Sequence, residues 1–147
     1  MVIITSKKEN KDDLEEVIEL QILIALNARC GFFWKVEYPI TFNKYGKAKV
    51  HKNRFVIDGV SDILGLSESI CLGIEVKRPK ELAWWRKKEA QVMMTGPKNK
   101  KEKRFYRQEL FIRSLKENGG WGGFADSVKR ARQIVEQAKE NREQKAT

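Results

Sequence analysis

Asp62, Glu75 and Lys77 are the residues of this chain whose types and spacing could do chemistry. Glu75 and Lys77 stand two apart in an otherwise apolar stretch, Ile70, Cys71, Leu72, Ile74 and Val76, that reads as a strand stopped by Pro79. Side chains alternate along a strand, so Glu75 and Lys77 share one face and Val76 points to the other. Asp62 lies thirteen residues before Glu75, after a Gly59-Val60-Ser61 turn and at the start of the short apolar run Ile63-Leu64-Gly65-Leu66. A hairpin between the two runs brings Asp62 beside Glu75. Two converging carboxylates can hold a hard cation such as Mg2+ or Mn2+, with the backbone carbonyl of Val76 as a third donor. Such a cation polarises a phosphoryl oxygen and lowers the pKa of a bound water. An ammonium group beside it orients that water and screens charge developing in the transition state. The bland alternative is a solvated ion pair. Charges at the end of a buried strand are costly, however, unless they are paired or bound to metal.

The elements that must position these groups follow from periodicity. A helix is expected over about 11–29. Glu15, Glu16 and Glu19 lie in its first half, and its second half is apolar almost all round, as if packed between other elements. Gly31 ends it. Residues 32–42 read as a strand, with Pro39 marking an edge or a bend. Residues 43–54 read as a basic loop carrying Lys44, Lys47, Lys49, His51, Lys52 and Arg54, and 55–57 as a short strand. A helical stretch around Leu82, Trp84 and Trp85 is broken by Gly96-Pro97. A second basic loop is expected over 96–104, then a helix over about 105–117, a strand over 121–125, and a last helix over about 128–139 capped by Asp126 or Ser127. Residues 140–147 are expected to fray. The order fits a single α/β domain over 1–147, with a mixed sheet flanked by helices.

Bulk properties bound the partners. The chain has 147 residues, and 41% are hydrophobic, enough for a packed core. Its 30 Lys and Arg against 20 Asp and Glu give a formal net charge of +10, which favours a polyanion, most commonly nucleic acid. Lys47, Lys49, Lys52, Arg54, Ser61, Lys98, Lys100, Lys101, Lys103 and Arg104 are the candidate DNA contacts. Cys30 and Cys71 lack metal or redox spacing and read as reduced and partly buried, in a cytoplasmic setting such as a nucleoid or an infected bacterial host. No apolar run approaches a membrane span. Of Trp84 and Trp85, adjacent on a helix, one should enter the core and one the surface. The lone His51 has no role in the metal chemistry above.

The segments Gly59-Val60-Ser61-Asp62-Ile63-Leu64-Gly65, Gly73-Ile74-Glu75-Val76-Lys77-Arg78-Pro79, Gln108 with Phe111-Ile112, and Gly119-Gly120 occur in that order. Together they resemble the VRR-NUC branch of the PD-(D/E)XK nucleases over roughly residues 12–128. The resemblance implies a restriction-endonuclease-like fold. It also implies metal binding by Asp62 and Glu75, catalytic assistance by Lys77 and a supporting role for Gln108. A glutamate on the first helix is linked to the metal through water in that family. Here Glu15, Glu16 and Glu19 compete: spacing to Ile18, Ile22 and Leu26 favours Glu15, whereas spacing to Gly31 favours Glu16 or Glu19. The implied activity is Mg2+- or Mn2+-dependent endonucleolytic hydrolysis of DNA, selective for branched substrates such as four-way junctions or flaps. Stand-alone members are often homodimers encoded by phages or mobile elements. Gln108 follows Glu75 by 33 positions, a long and highly basic stretch that departs from a minimal member. The rival readings are a basic DNA-binding module that does not cleave, and a nuclease acting on RNA or single strands.

Overall fold

The computed structural model describes residues 11–37, 40–50 and 59–146. Helix α1, Lys11–Arg29, packs Ile22 and Leu26 into the core at helical spacing. It ends where the Cys30 amide donates to the Leu26 carbonyl, 2.8 Å away. The next residue must be glycine. Gly31 has φ +151°, and a Cβ there would lie 2.1 Å from the Leu66 carbonyl oxygen. The expectation of an all-round buried helix fails, because only one face of α1 meets other elements. Leu14, Val17, Leu20 and Ile24 are exposed on it.

The expected strand over 32–42 is two strands. Strand β1, Phe32–Lys35, joins the main sheet, whereas β2, Ile40–Phe42, pairs antiparallel with β3, Ala48–Val50, in a separate two-stranded sheet. The first half of the expected basic loop is therefore a hairpin. Its turn is closed by the Asn43 side chain, which accepts from the amides of Tyr45 and Lys47. Pro39, His51, Lys52, Arg54 and the expected strand at 55–57 lie outside the described residues.

Strands β4, Ile63–Ser67, and β5, Ile70–Val76, form the expected hairpin. Its two-residue turn holds Glu68 and Ser69 at positive φ, the backbone geometry that matches strand twist. Strand β6, Trp121–Ala125, pairs parallel with β5. The main sheet has the order β1-β4-β5-β6 and is mixed, since β1 and β4 run antiparallel to their neighbours.

Between β5 and β6 the chain builds two helices. Helix α2, Pro79–Thr95, starts on Pro79, so the residue that ends the strand also opens the helix. Helix α3, Lys100–Glu117, begins five residues earlier than the sequence reading places it. Lys100, Lys101, Lys103 and Arg104 are thus helical, not part of a loop. The start is set by a reciprocal cap: the Asn99 side chain accepts from the Glu102 amide at 2.8 Å and donates to the Glu102 carboxylate at 2.5 Å. Helix α4, Val128–Ala146, is capped by Ser127, whose hydroxyl accepts from the Arg130 amide. It continues well past Lys139, and Arg142 bonds the Glu68 carbonyl and carboxylate in the β4–β5 turn.

Two layers of core result. Ile63, Ile70, Leu72, Ile74 and Val76 meet α1 and α4 on one face of the sheet. On the other face α2 and α3 enclose Leu82, Trp85, Phe105, Ile112 and Phe124. Trp85 is buried and Trp84 half-buried, in line with the expected division. Both cysteines are free, and Cys71 is exposed rather than partly buried. Among the described residues no helix is long and apolar enough to cross a membrane.

Candidate active site

The β4–β5 ladder decides whether Asp62 and Glu75 meet. Ile63 pairs with Ile74, so the next step of the antiparallel register sets Asp62 opposite Glu75. Asp62 is fixed from two sides. One carboxylate oxygen, Oδ2, accepts from the Val76 amide at 2.8 Å, and its backbone carbonyl accepts from the Val36 amide at 2.8 Å. The turn before it is also constrained. Gly59 sits at φ +77°, and a Cβ there would fall 2.4 Å from the Arg107 carbonyl oxygen of α3. Only glycine lets the turn pass this close to the helix.

Glu75 and Lys77 project from β5 toward α2 and α3, and both are almost wholly enclosed, with relative exposures of 2% and 0%. Lys77 Nζ lies 3.5 Å from Glu75 Oε1 and 4.6 Å from the centre of the Phe105 ring. Gln108, on α3, donates from Nε2 to the same Glu75 oxygen at 2.7 Å. The sequence motif thus brings Gln108 into direct contact with the acid. Burial first, and then the neighbouring Asp62 carboxylate, push the Glu75 carboxyl well above its ordinary value, with Lys77 pulling the other way. Asp62 and Glu75 are thus neighbours at the open end of the β4–β5 ladder, close enough for each charge to act on the other.

Of the three glutamates on α1, Glu15 and Glu19 both feel the Asp62 charge, and Glu15 alone also feels Lys77. Burial raises its carboxyl, Lys77 lowers it and Asp62 raises it, so it feels both groups. Glu19 is buried but engaged by Lys35 at 3.2 Å, and Glu16 is exposed. Glu15 and Glu19 are one helical turn apart, and β1 brings Lys35 to the second of them.

Several groups around the centre lack a hydrogen-bond partner. Glu75 Oε2, Lys77 Nζ, Gln108 Oε1 and Ser61 Oγ are buried with no hydrogen bond. Buried polar atoms seldom go unsatisfied, so an acid oxygen without a donor beside a second carboxylate fits a bound cation. The donors available for it are Asp62 and Glu75, with the Val76 carbonyl from the backbone. Among the described residues no cluster of three or more His, Cys, Asp or Glu is placed to hold a metal. The fit therefore rests on two side chains and the main chain.

The expected nucleic-acid contacts divide. Ser61 is buried at 1% exposure, its hydroxyl lying so close to β5 that a Cβ on Gly73 would be 2.8 Å from it. It supports the turn and cannot touch DNA in this arrangement. Lys98, Lys100, Lys101, Lys103 and Arg104 are exposed at and before the start of α3. Arg104 acts electrostatically on both Glu15 and Glu81, so its end of α3 adjoins the acidic centre. Lys47 is exposed on the β2–β3 hairpin, and Lys49 lies in β3. Lys52 and Arg54 are outside the described residues.

Sequence reasoning missed Phe105 and the Arg78–Glu81 pair. Phe105 forms the floor beneath the Lys77 ammonium and stacks on Trp85, with ring centres 5.2 Å apart. Arg78 binds Glu81 at 2.8 Å. Burial pushes Glu81 up, but Arg78, helped by Lys77 and Arg104, holds it below its ordinary value. The i, i+3 spacing of Arg78 and Glu81 at a helix start was the available signal. Nothing in sequence joins Phe105 to Lys77. Comparison with protein-family models, curated proteins and solved structures gives no match to this chain.

Proposed function

We propose that the chain is a Mg2+- or Mn2+-dependent endonuclease that hydrolyses DNA phosphodiester bonds, built as a restriction-endonuclease-like domain of the VRR-NUC kind. One observation carries the reading: the β4–β5 register sets Asp62 opposite Glu75, with the Lys77 ammonium enclosed 3.5 Å from the Glu75 carboxylate. When bound there, the cation supplies Lewis acidity toward a phosphoryl oxygen and acidifies an attacking water.

The protein's own residues do the rest. Asp62, held by the Val76 amide, and Glu75, held by Gln108, would supply the oxygens that bind it. Lys77 has little freedom, being enclosed between Glu75 and the Phe105 ring. It is set to counter negative charge on a phosphate. Glu15 orients water at the rim. The basic start of α3 draws the phosphate backbone toward the centre, an attraction that weakens with salt. Selectivity for branched DNA and a homodimer that cuts two strands about a two-fold axis are further parts of the proposal, supported by the sequence resemblance.

The test is a cleavage panel of duplex, flap, four-way junction and RNA substrates in Mg2+, Mn2+ or EDTA, repeated with Glu75→Gln and Lys77→Met. The expected result is divalent-dependent cutting of branched DNA that both variants lose while salt-sensitive binding remains. Cutting that survives EDTA, or both substitutions, overturns the mechanism. Binding without any divalent-dependent product makes the chain a non-cleaving DNA-binding module.

A further inference from the structure

A second polar site lies away from Asp62 and Glu75. Strand β6 is an edge of the main sheet. A cavity of about 360 Å3 opens beside it, bounded by α2, α3, β6 and α4. Arg86, Lys116 and Arg130 line it, as do Glu89, Glu109 and Trp85. Gly122 and Gly123 give the strand a bare backbone along one wall.

Two of the lining residues carry N–H donors that are buried and unpaired: Trp85 Nε1 and Arg130 Nε. Trp85 is 1% exposed and wedged against Phe105 and Phe124, so it cannot swing out to find water. Arg130 is held at its other end, where Nη1 donates to Gln133 at 3.3 Å. Donors in this state are rare and call for an acceptor at the site. Single waters take about 30 Å3 each, so the cavity has room for a larger group.

The charges select the kind of group. Three cationic side chains face two carboxylates. Glu109 is already paired with Arg113 at 3.3 Å. Burial, followed by Glu109, raises the Glu89 carboxyl, and Arg86 and Lys116 pull it down. Cations together with single N–H donors match a tetrahedral oxyanion, which offers several acceptor oxygens and up to two charges.

We infer that the cavity beside β6 is a binding site for a phosphoryl oxyanion, with Trp85 Nε1 and Arg130 Nε as its fixed donors and Arg86 and Lys116 as its counter-charges. The phosphoryl group comes either from free phosphate or from a nucleic-acid strand. The site is independent of the metal chemistry proposed above, since it shares no residue with it.

The test uses the full-length 15N-labelled protein in EDTA, at constant pH and ionic strength. Inorganic phosphate is titrated against chloride while the Trp85 indole N–H resonance is followed, assigned by its loss in Trp85→Phe. Parallel titrations use a short oligonucleotide with and without a 5′-phosphate. The site predicts a saturable shift of the Trp85 resonance with phosphate and none with chloride, and affinity at least about tenfold weaker in Arg130→Gln, a loss of one charge-assisted bond. Lys116→Gln weakens it independently, guarding against a fold defect in either variant. A shift seen only with the 5′-phosphorylated strand assigns the group to nucleic acid. No saturable shift with either probe, or affinities unchanged in both variants, overturns the inference and leaves the cavity to water.

Discussion

The two faces of β5 differ in almost everything except their backbone. Ile70, Leu72, Ile74 and Val76 point toward α1 and α4 into a continuous apolar core. Cys71, Gly73, Glu75 and Lys77 alternate with them on the other face, where α2 and α3 enclose a carboxylate and an ammonium as completely as any core leucine. The first face gains from burial by the hydrophobic effect, on the order of 2–3 kcal/mol for each large side chain. The second costs free energy, because desolvating a charge is only partly offset by a buried partner. A strand that spends one face on stability can carry an unfavourable group on the other, and that division separates what the two faces do.

The largest expected effect lies on the charged face. Glu75→Gln keeps the shape and the contact with Gln108 but removes the charge proposed to bind the cation. Single-turnover cleavage should fall about 10³-fold with the melting temperature preserved. An active Glu75→Gln protein would erase the distinction between the faces. Next is the apolar face: Leu72→Ala should lower unfolding free energy by about 2–5 kcal/mol in urea titrations. The surviving folded fraction should cleave at close to the normal rate, and a rate loss beyond that fraction would show that the faces are coupled. Third, Glu15→Gln should slow cleavage about tenfold, as for a group that acts on a metal site at one remove, while Glu16→Gln leaves it unchanged. Equal effects from the two would remove Glu15 from the centre.

The smallest effect sharpens the comparison through pH. Burial and Asp62 hold the Glu75 carboxyl above its ordinary 4.5, so the folded chain keeps a proton that the unfolded chain releases. In EDTA this contribution to stability is complete below pH 4.5 and is lost as pH rises through the elevated folded value. Glu75→Gln should flatten that decline, and Mg2+ should reverse it in the wild type alone. Parallel pH profiles of the two proteins in thermal denaturation would contradict the assignment.

How much of this was legible beforehand depends on the range of the interaction that decides it. The β4–β5 hairpin and the shared face of Glu75 and Lys77 follow from a period of two, a local property. The start of α3 was also local, but a run of lysines obscured it: Asn99 and Glu102 carry the cap, and the basic residues between and after them read as loop. The exposed stripe on α1 was not legible. Apolar residues all round a helix announce burial, yet whether both sides are covered depends on elements far away in sequence. Ser61 was misread for the same reason, since the nearness of Gly73 and Leu115 that buries it arises only when α3 lies over β5.

The sequence by itself determined the chemistry available: two acids and a lysine, spaced so that strand alternation aligns Glu75 with Lys77 and a short hairpin carries Asp62 to them. Only the tertiary structure decided which helix glutamate feels both Asp62 and Lys77, that Phe105 underlies the ammonium, and that Gln108 clamps the acid. Strand geometry repeats every two residues and can be counted along the chain. The approach of α1 and α3 to β5 is set by the packing of whole elements, which no local count contains.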